Sequence, residues 1–128
     1  MDIQRRTGIA ILFVAHDLSI VRHMADRVAV MYLGKIVELG TADTVFSAPT
    51  HPYTKALVSA VPIEDPRLRG KQSRIILQGD PPSPVAPPSG CHFHTRCWKA
   101  FDRCAVEEPR LEPRERSPHP SACHIASA

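Results

Sequence analysis

The chain has 128 residues, of which 16 are basic and 13 acidic, for a net charge of +3. That length supports a modest core, and the mixed charge (six basic against five acidic in the first sixty residues, ten against eight beyond) argues against nucleic acid as the main partner. No stretch approaches the roughly 20 apolar residues of a membrane span, and the N-terminus lacks a signal peptide's apolar segment, so a cytosolic setting with reduced or metal-bound thiols is expected.

Residues 2–7 read as the end of a helix, with Gly8 as its C-cap. Seven apolar residues follow, 9–15, and end abruptly in His16. Such a run reads as a strand buried on both faces, with His16 at the carboxyl-terminal edge where ligands gather in open α/β sheets. Asp17 stands at an N-cap position, and apolar residues at 18, 21, 24 and 25 give helical spacing over 18–25. A strand over 28–33, a tight turn at Gly34-Lys35 and a strand over 36–39 predict a hairpin. Thr41 caps a helix over 42–47. Pro49 and Pro52 bracket His51, which reads as a structural turn before a helix over 53–61, stopped by Pro62.

Eleven of the thirteen prolines lie from Pro62 onward, and all four cysteines lie between Cys91 and Cys123. Residues 74–77 suggest a short strand. Residues 79–90, with five prolines, suggest an extended connector, because proline fixes φ and supplies no amide hydrogen. The cysteines Cys91, Cys97, Cys104 and Cys123 are spaced C-x5-C-x6-C-x18-C. Four thiolates so arranged can enclose one metal centre. The tight Cys-x2-4-Cys knuckles of structural zinc are absent, whereas four thiolates are the usual ligand set of a 4Fe–4S cluster. Cluster, zinc and reduced thiols all remain open on spacing alone. His92, His94 and His124 flank the set, Trp98 and Phe101 read as its apolar cover, and Arg96, Lys99 and Arg103 either offset thiolate charge or belong to the surface.

Three parts of the chain carry a family resemblance. Leu12-Phe13-Val14-Ala15-His16-Asp17-Leu18-Ser19, with Ala25-Asp26-Arg27-Val28-Ala29-Val30-Met31-Tyr32-Leu33-Gly34-Lys35-Ile36-Val37-Glu38-Leu39-Gly40, resembles the last part of an ABC-transporter ATPase. Pro49-Thr50-His51-Pro52-Tyr53-Thr54-Lys55-Ala56-Leu57 resembles the His-Pro-Tyr signature of dipeptide and oligopeptide importers, and the cysteine-bearing tail resembles the same subfamily.

The resemblance implies an α/β fold in two parts. Residues 1–48 would be the C-terminal fragment of an ABC-type P-loop ATPase domain, and residues 49–128 an irregular, proline-rich C-terminal region with the four-cysteine site. It implies that His16 is the switch histidine, whose ring donates to the γ-phosphate region of ATP held with Mg2+ in the full-length subunit. It further implies a 4Fe–4S cluster on the four cysteines, with zinc as the alternative. The partners implied are a second ATP-binding subunit and membrane permease subunits, with the chain peripheral at the cytoplasmic face of a bacterial or archaeal membrane. No Gly-x-x-x-x-Gly-Lys-Ser/Thr loop, Leu-Ser-Gly-Gly-Gln signature or Walker B carboxylate occurs in these residues. The chain alone is therefore expected neither to bind ATP tightly nor to hydrolyse it. The rival expectation is a stand-alone metal-binding interaction module that docks through the hairpin.

Overall fold

The computed structural model describes residues 2–62, 73–113 and 119–126. In chain order they form α1 (Asp2–Thr7), α2 (Leu18–Met24), β1 (Arg27–Tyr32), β2 (Lys35–Thr41), α3 (Ala42–Ser47), α4 (Pro52–Ser59), a 3-10 turn (His94–Arg96) and α5 (Asp102–Val106). The result is a small mixed α/β arrangement built on a two-stranded antiparallel sheet.

The hairpin organises everything else. Val28, Val30 and Tyr32 alternate inward along β1, as period-two side chains must. Leu33 (φ 43) and Gly34 (φ 78) both adopt left-handed backbone, the two-residue turn whose twist matches antiparallel strands. The turn therefore sits one residue earlier than the expected Gly34-Lys35. Pairing runs from Arg27↔Thr41 to Val30↔Glu38, then slips to Met31↔Ile36, leaving a bulge at that point. A bulge re-aims the side chains around it. Here it allows Val37 and Glu38, neighbours in sequence, both to be buried.

Along the other edge of β2 the C-terminal segment adds itself. The Leu39 amide donates to the Pro120 carbonyl at 3.1 Å, and the Ala122 amide to the Val37 carbonyl at 2.8 Å. The core comprises Val28, Val30, Tyr32 and Val37 of the sheet, Ala42 and Val45 of α3, and Phe93. Tyr32, Tyr53 and Phe93 close it with ring centroids 4.8 to 5.4 Å apart and tilted or edge-on planes, the geometry the ring quadrupole favours.

The capping expectations agree with the structure. Gly8 (φ 68) donates its amide to the Gln4 carbonyl at 2.8 Å and ends α1. Asp17 accepts from the Ser19 amide at 2.8 Å, and Thr41 from the Thr44 amide at 3.2 Å. His51 is itself the N-cap of α4, accepting the Tyr53 amide on Nδ1 at 3.1 Å, so this helix begins at Pro52.

Two expected strands are corrected. Residues 9–15 form no strand, and Leu12 and Val14 are 94% and 90% exposed. A strand exists only by pairing its amides and carbonyls with a neighbour, and among the described residues none lies beside this run. Residues 74–77 form none either; the Ile75 amide instead meets the Ser59 hydroxyl at 2.9 Å. The proline-rich stretch 79–90 carries neither helix nor strand, and a turn at residues 84–85 interrupts it.

Candidate functional site

Local backbone geometry gathers the four cysteines. The Cys91 amide donates to the Cys104 carbonyl of α5 at 2.8 Å, which ties the segment entering the site to that helix. The 3-10 turn then closes the loop to the second thiol, with the His94 amide on the Cys91 carbonyl at 2.9 Å and the Cys97 amide on the His94 carbonyl at 3.2 Å. Cys104 is buried on α5, and Cys123 is buried in the segment that pairs with β2. All four line one small cavity of about 10 Å³, room for about one water molecule. No disulfide joins them.

Electrostatics within the cavity disfavour bare thiolates. Burial pushes the Cys91 thiol up to about 11, against a hydrogen bond from the Phe93 amide, and the other three thiols repel added charge. Burial likewise raises Cys97, against the Lys99 amide. In both cases an amide donates to the sulfur two residues before it, the kind of contact that tunes metal-bound thiolates. Lys99 also lines the cavity. Among the described residues, no three His, Cys, Asp or Glu side chains converge at single-ion distance. Cys104 and Cys123 are buried, and Cys91 and Cys97 are half-buried.

The cover differs from expectation. Phe93, 1% exposed, walls the cavity, whereas Trp98 and Phe101 are about half exposed and do not line it. His94 and His124 do line it; His94 Nδ1 lies 2.8 Å from the Cys91 carbonyl and His124 Nε2 lies 3.0 Å from the Glu107 carbonyl. Arg103 is occupied by a two-pronged bond to Glu107 at 2.7 and 2.8 Å, and Arg96 reaches the Gln78 carbonyl at 3.3 Å.

Beside the cavity lies a polar node that sequence reasoning missed. Glu38, fully buried, accepts the Thr50 amide (2.8 Å), the Thr50 hydroxyl (3.0 Å) and His119 Nε2 (2.5 Å) on one oxygen, and the His51 amide (2.9 Å) on the other. Burial alone would raise its pKa; the Thr54 hydroxyl, the His119 ring and the amides of Thr50 and His51 outweigh it and hold Glu38 below the usual carboxylate range. A carboxylate only accepts, so Nε2 of His119 carries the hydrogen. Burial drives His51 down to about 4 despite Glu38, leaving it neutral with its proton on Nε2, because Nδ1 accepts from Tyr53. The single signal available in sequence is a glutamate inside an apolar strand, and its burial depends on a bulge that no residue pattern announces.

His16 is exposed directly before the Asp17 cap of α2, and it is not among the residues of the cysteine cavity.

Residues 37–104 match the family described as oligopeptide/dipeptide transporter, C-terminal region. The chain is 51% identical over 125 residues to a probable peptide ABC transporter ATP-binding protein of Sinorhizobium fredii, covering 98% of this chain and 35% of the relative. It is 53% identical to the dipeptide transport ATP-binding protein DppF of Haemophilus influenzae, covering 88% and 34%. With the oligopeptide transport ATP-binding protein OppF of Salmonella typhimurium it shares 55% identity, covering 87% and 33%. The chain thus spans about a third of the length of these relatives.

Proposed function

Because the chain belongs to the oligopeptide/dipeptide transporter C-terminal-region family, we propose that it serves as the C-terminal part of a peptide-importing ABC ATPase subunit. The supporting observation is identity of 51% to 55% over 87% to 98% of this chain with proteins named as peptide-transport ATP-binding subunits. In this reading residues 1–48 end the ATPase domain and residues 49–128 form the region beyond it. No described helix is long and apolar enough to cross a membrane. The subunit works at the cytoplasmic face, with a second ATP-binding subunit and permease subunits. A stand-alone metal-binding module is the less favoured reading, since the similarity runs through both parts of the chain.

His16 then acts on ATP with Mg2+. Its ring follows the exposed run 9–15 and precedes the helix that Asp17 caps, so its backbone is fixed on one side by that cap. A ring N–H donor placed at the transferring phosphoryl group stabilises the charge that spreads over its oxygens. The exposed apolar run before it becomes a strand when the rest of the subunit's sheet lies alongside.

The four cysteines hold a 4Fe–4S cluster, with zinc as the alternative. When bound, such a cluster cross-links four thiolates and offers one-electron chemistry; here the role assigned is structural. What supports the cluster is that all four cysteines line one small cavity, with amide-to-sulfur bonds at Cys91 and Cys97.

The test of the importer reading is a chimera in which this chain replaces the corresponding C-terminal third of Salmonella OppF. Peptide uptake should be restored, and His16→Ala in the chimera should remove most ATP turnover while leaving ATP binding intact. A folded His16→Ala chimera that binds ATP and turns it over as fast as the unsubstituted chimera would overturn the role of His16. A folded chimera that hydrolyses ATP without supporting uptake would overturn the importer assignment.

A further inference from the structure

The approach of Cys91 to Cys104 runs through Gly90, which has φ +64. A Cβ built there would stand 2.5 Å from the Cys104 carbonyl oxygen, 2.7 Å from the Ala105 carbonyl carbon and 2.9 Å from the Ala105 carbonyl oxygen. All three are backbone atoms near the end of α5, so no side chain can swing away to make room. The contact is close because two hydrogen bonds flank it. The Ser89 hydroxyl donates to the Ala105 carbonyl at 2.8 Å, and the Cys91 amide donates to the Cys104 carbonyl at 2.8 Å. The last carbonyls of a helix have no partner within it, and residues 89 and 91 supply partners for two of them.

We propose that Ser89, Gly90 and Cys91 form a positioning clamp on the end of α5, in which the missing side chain at Gly90 lets the Cys91 and Cys104 thiols share one cavity. The proposal rests on the reading that these thiols hold a metal group. Gly90 touches no metal; it acts through the backbone that carries Cys91. Any side chain at 90 must push the segment away from α5 and carry Cys91 out with it, while Cys104 stays on its helix.

Gly79 supplies the control. It also has positive φ (+73), but a Cβ there meets nothing within 4 Å. Gly90→Ala and Gly79→Ala thus share the backbone penalty of an alanine in left-handed conformation, and Gly90→Ala alone adds the collision. The test compares wild type, Gly90→Ala, Gly79→Ala and Ser89→Ala in the full chain, with two readouts. One is iron, sulfide and zinc content after anaerobic purification. The other, on chelator-treated chain, is the yield of the Cys91–Cys104 link formed by a short bis-maleimide.

Gly90→Ala should lower metal content well below wild type, since residues that orient metal ligands typically carry about 10-fold in affinity, and should depress the 91–104 link, while Gly79→Ala matches wild type. If Gly90→Ala retains both metal and link at the Gly79→Ala level, the clamp is wrong. If Gly90→Ala cannot be purified, Ser89→Ala carries the test, and an unchanged 91–104 link in it overturns the clamp. A wild-type chain that takes up no metal yet forms the link, with Gly90→Ala failing to form it, sinks the metal reading and leaves the clamp standing.

Discussion

Glu38 is the residue on which the most distant parts of the chain meet. It joins β2 to the turn at Thr50 and His51 and to His119, eighty-one positions away. Removing a buried carboxylate leaves the donors around it unsatisfied, at a cost of about 1–3 kcal/mol. Glu38→Ala should therefore lower unfolding free energy by about that amount in urea titrations, and His119→Ala by less, because Glu38 keeps its donors on Thr50 and His51. The pH response follows from two groups with depressed folded-state pKa values. Unfolded His51 takes up a proton below about 6.5, whereas folded His51 resists until about 4. The unfolded state then binds more protons, so stability falls as pH drops through that window, by on the order of 3 kcal/mol. Glu38, also held below its ordinary range, contributes stability that is present above the unfolded carboxylate pKa and lost as pH falls through the folded one. Thermal melts from pH 7 to 4 should show a steady decline. His51→Asn, which keeps a capping side chain, should flatten its upper part. None of this is legible in sequence, where His51 reads only as a turn and His119 as one histidine of a proline-rich tail.

The elements divide by whether their cause is local. Caps and turns are local, and they are legible: Gly8, Asp17 and Thr41 each stand where their chemistry requires. Thr41→Ala, losing the bond to the Thr44 amide, should cost about 1 kcal/mol in the same titrations. Strands depend on neighbours. The hairpin is legible because both of its strands lie in this chain, joined by a two-residue turn. The run 9–15 misleads because a long apolar segment signals burial without saying what buries it. Its amides should exchange with deuterium at nearly the unprotected rate in this chain. Protection there equal to that of β1 would mean that the run pairs with something in the isolated chain. The bulge falls between these cases: it is local in extent, but only the register of the partner strand reveals it.

At the scale of the whole molecule, the cysteine spacing and the family resemblance single out four residues, and the structure shows how they come to line one cavity. Cys91 arrives through the Gly90 turn, Cys97 through the 3-10 turn, Cys104 on α5, and Cys123 on the segment paired with β2. What sequence could not supply is the cavity wall: Phe93, rather than Trp98 or Phe101, closes it. Cys123 lies on the segment paired with β2, Cys91 and Cys97 pack against the core built on the hairpin, and Cys104 lies on α5, so a bound metal group would tie the C-terminal segment and α5 to that core. Its removal by a chelator should lower the melting temperature of the full chain, and stability that is indifferent to the chelator would argue for four reduced thiols. Elemental and sulfide analysis of the anaerobically purified chain is the most direct test that Cys91, Cys97, Cys104 and Cys123 form one cluster site. The expected result is about four iron and four sulfide per chain, lost when any one of the four is changed to serine; a colourless chain carrying zinc, or no metal at all, would contradict it.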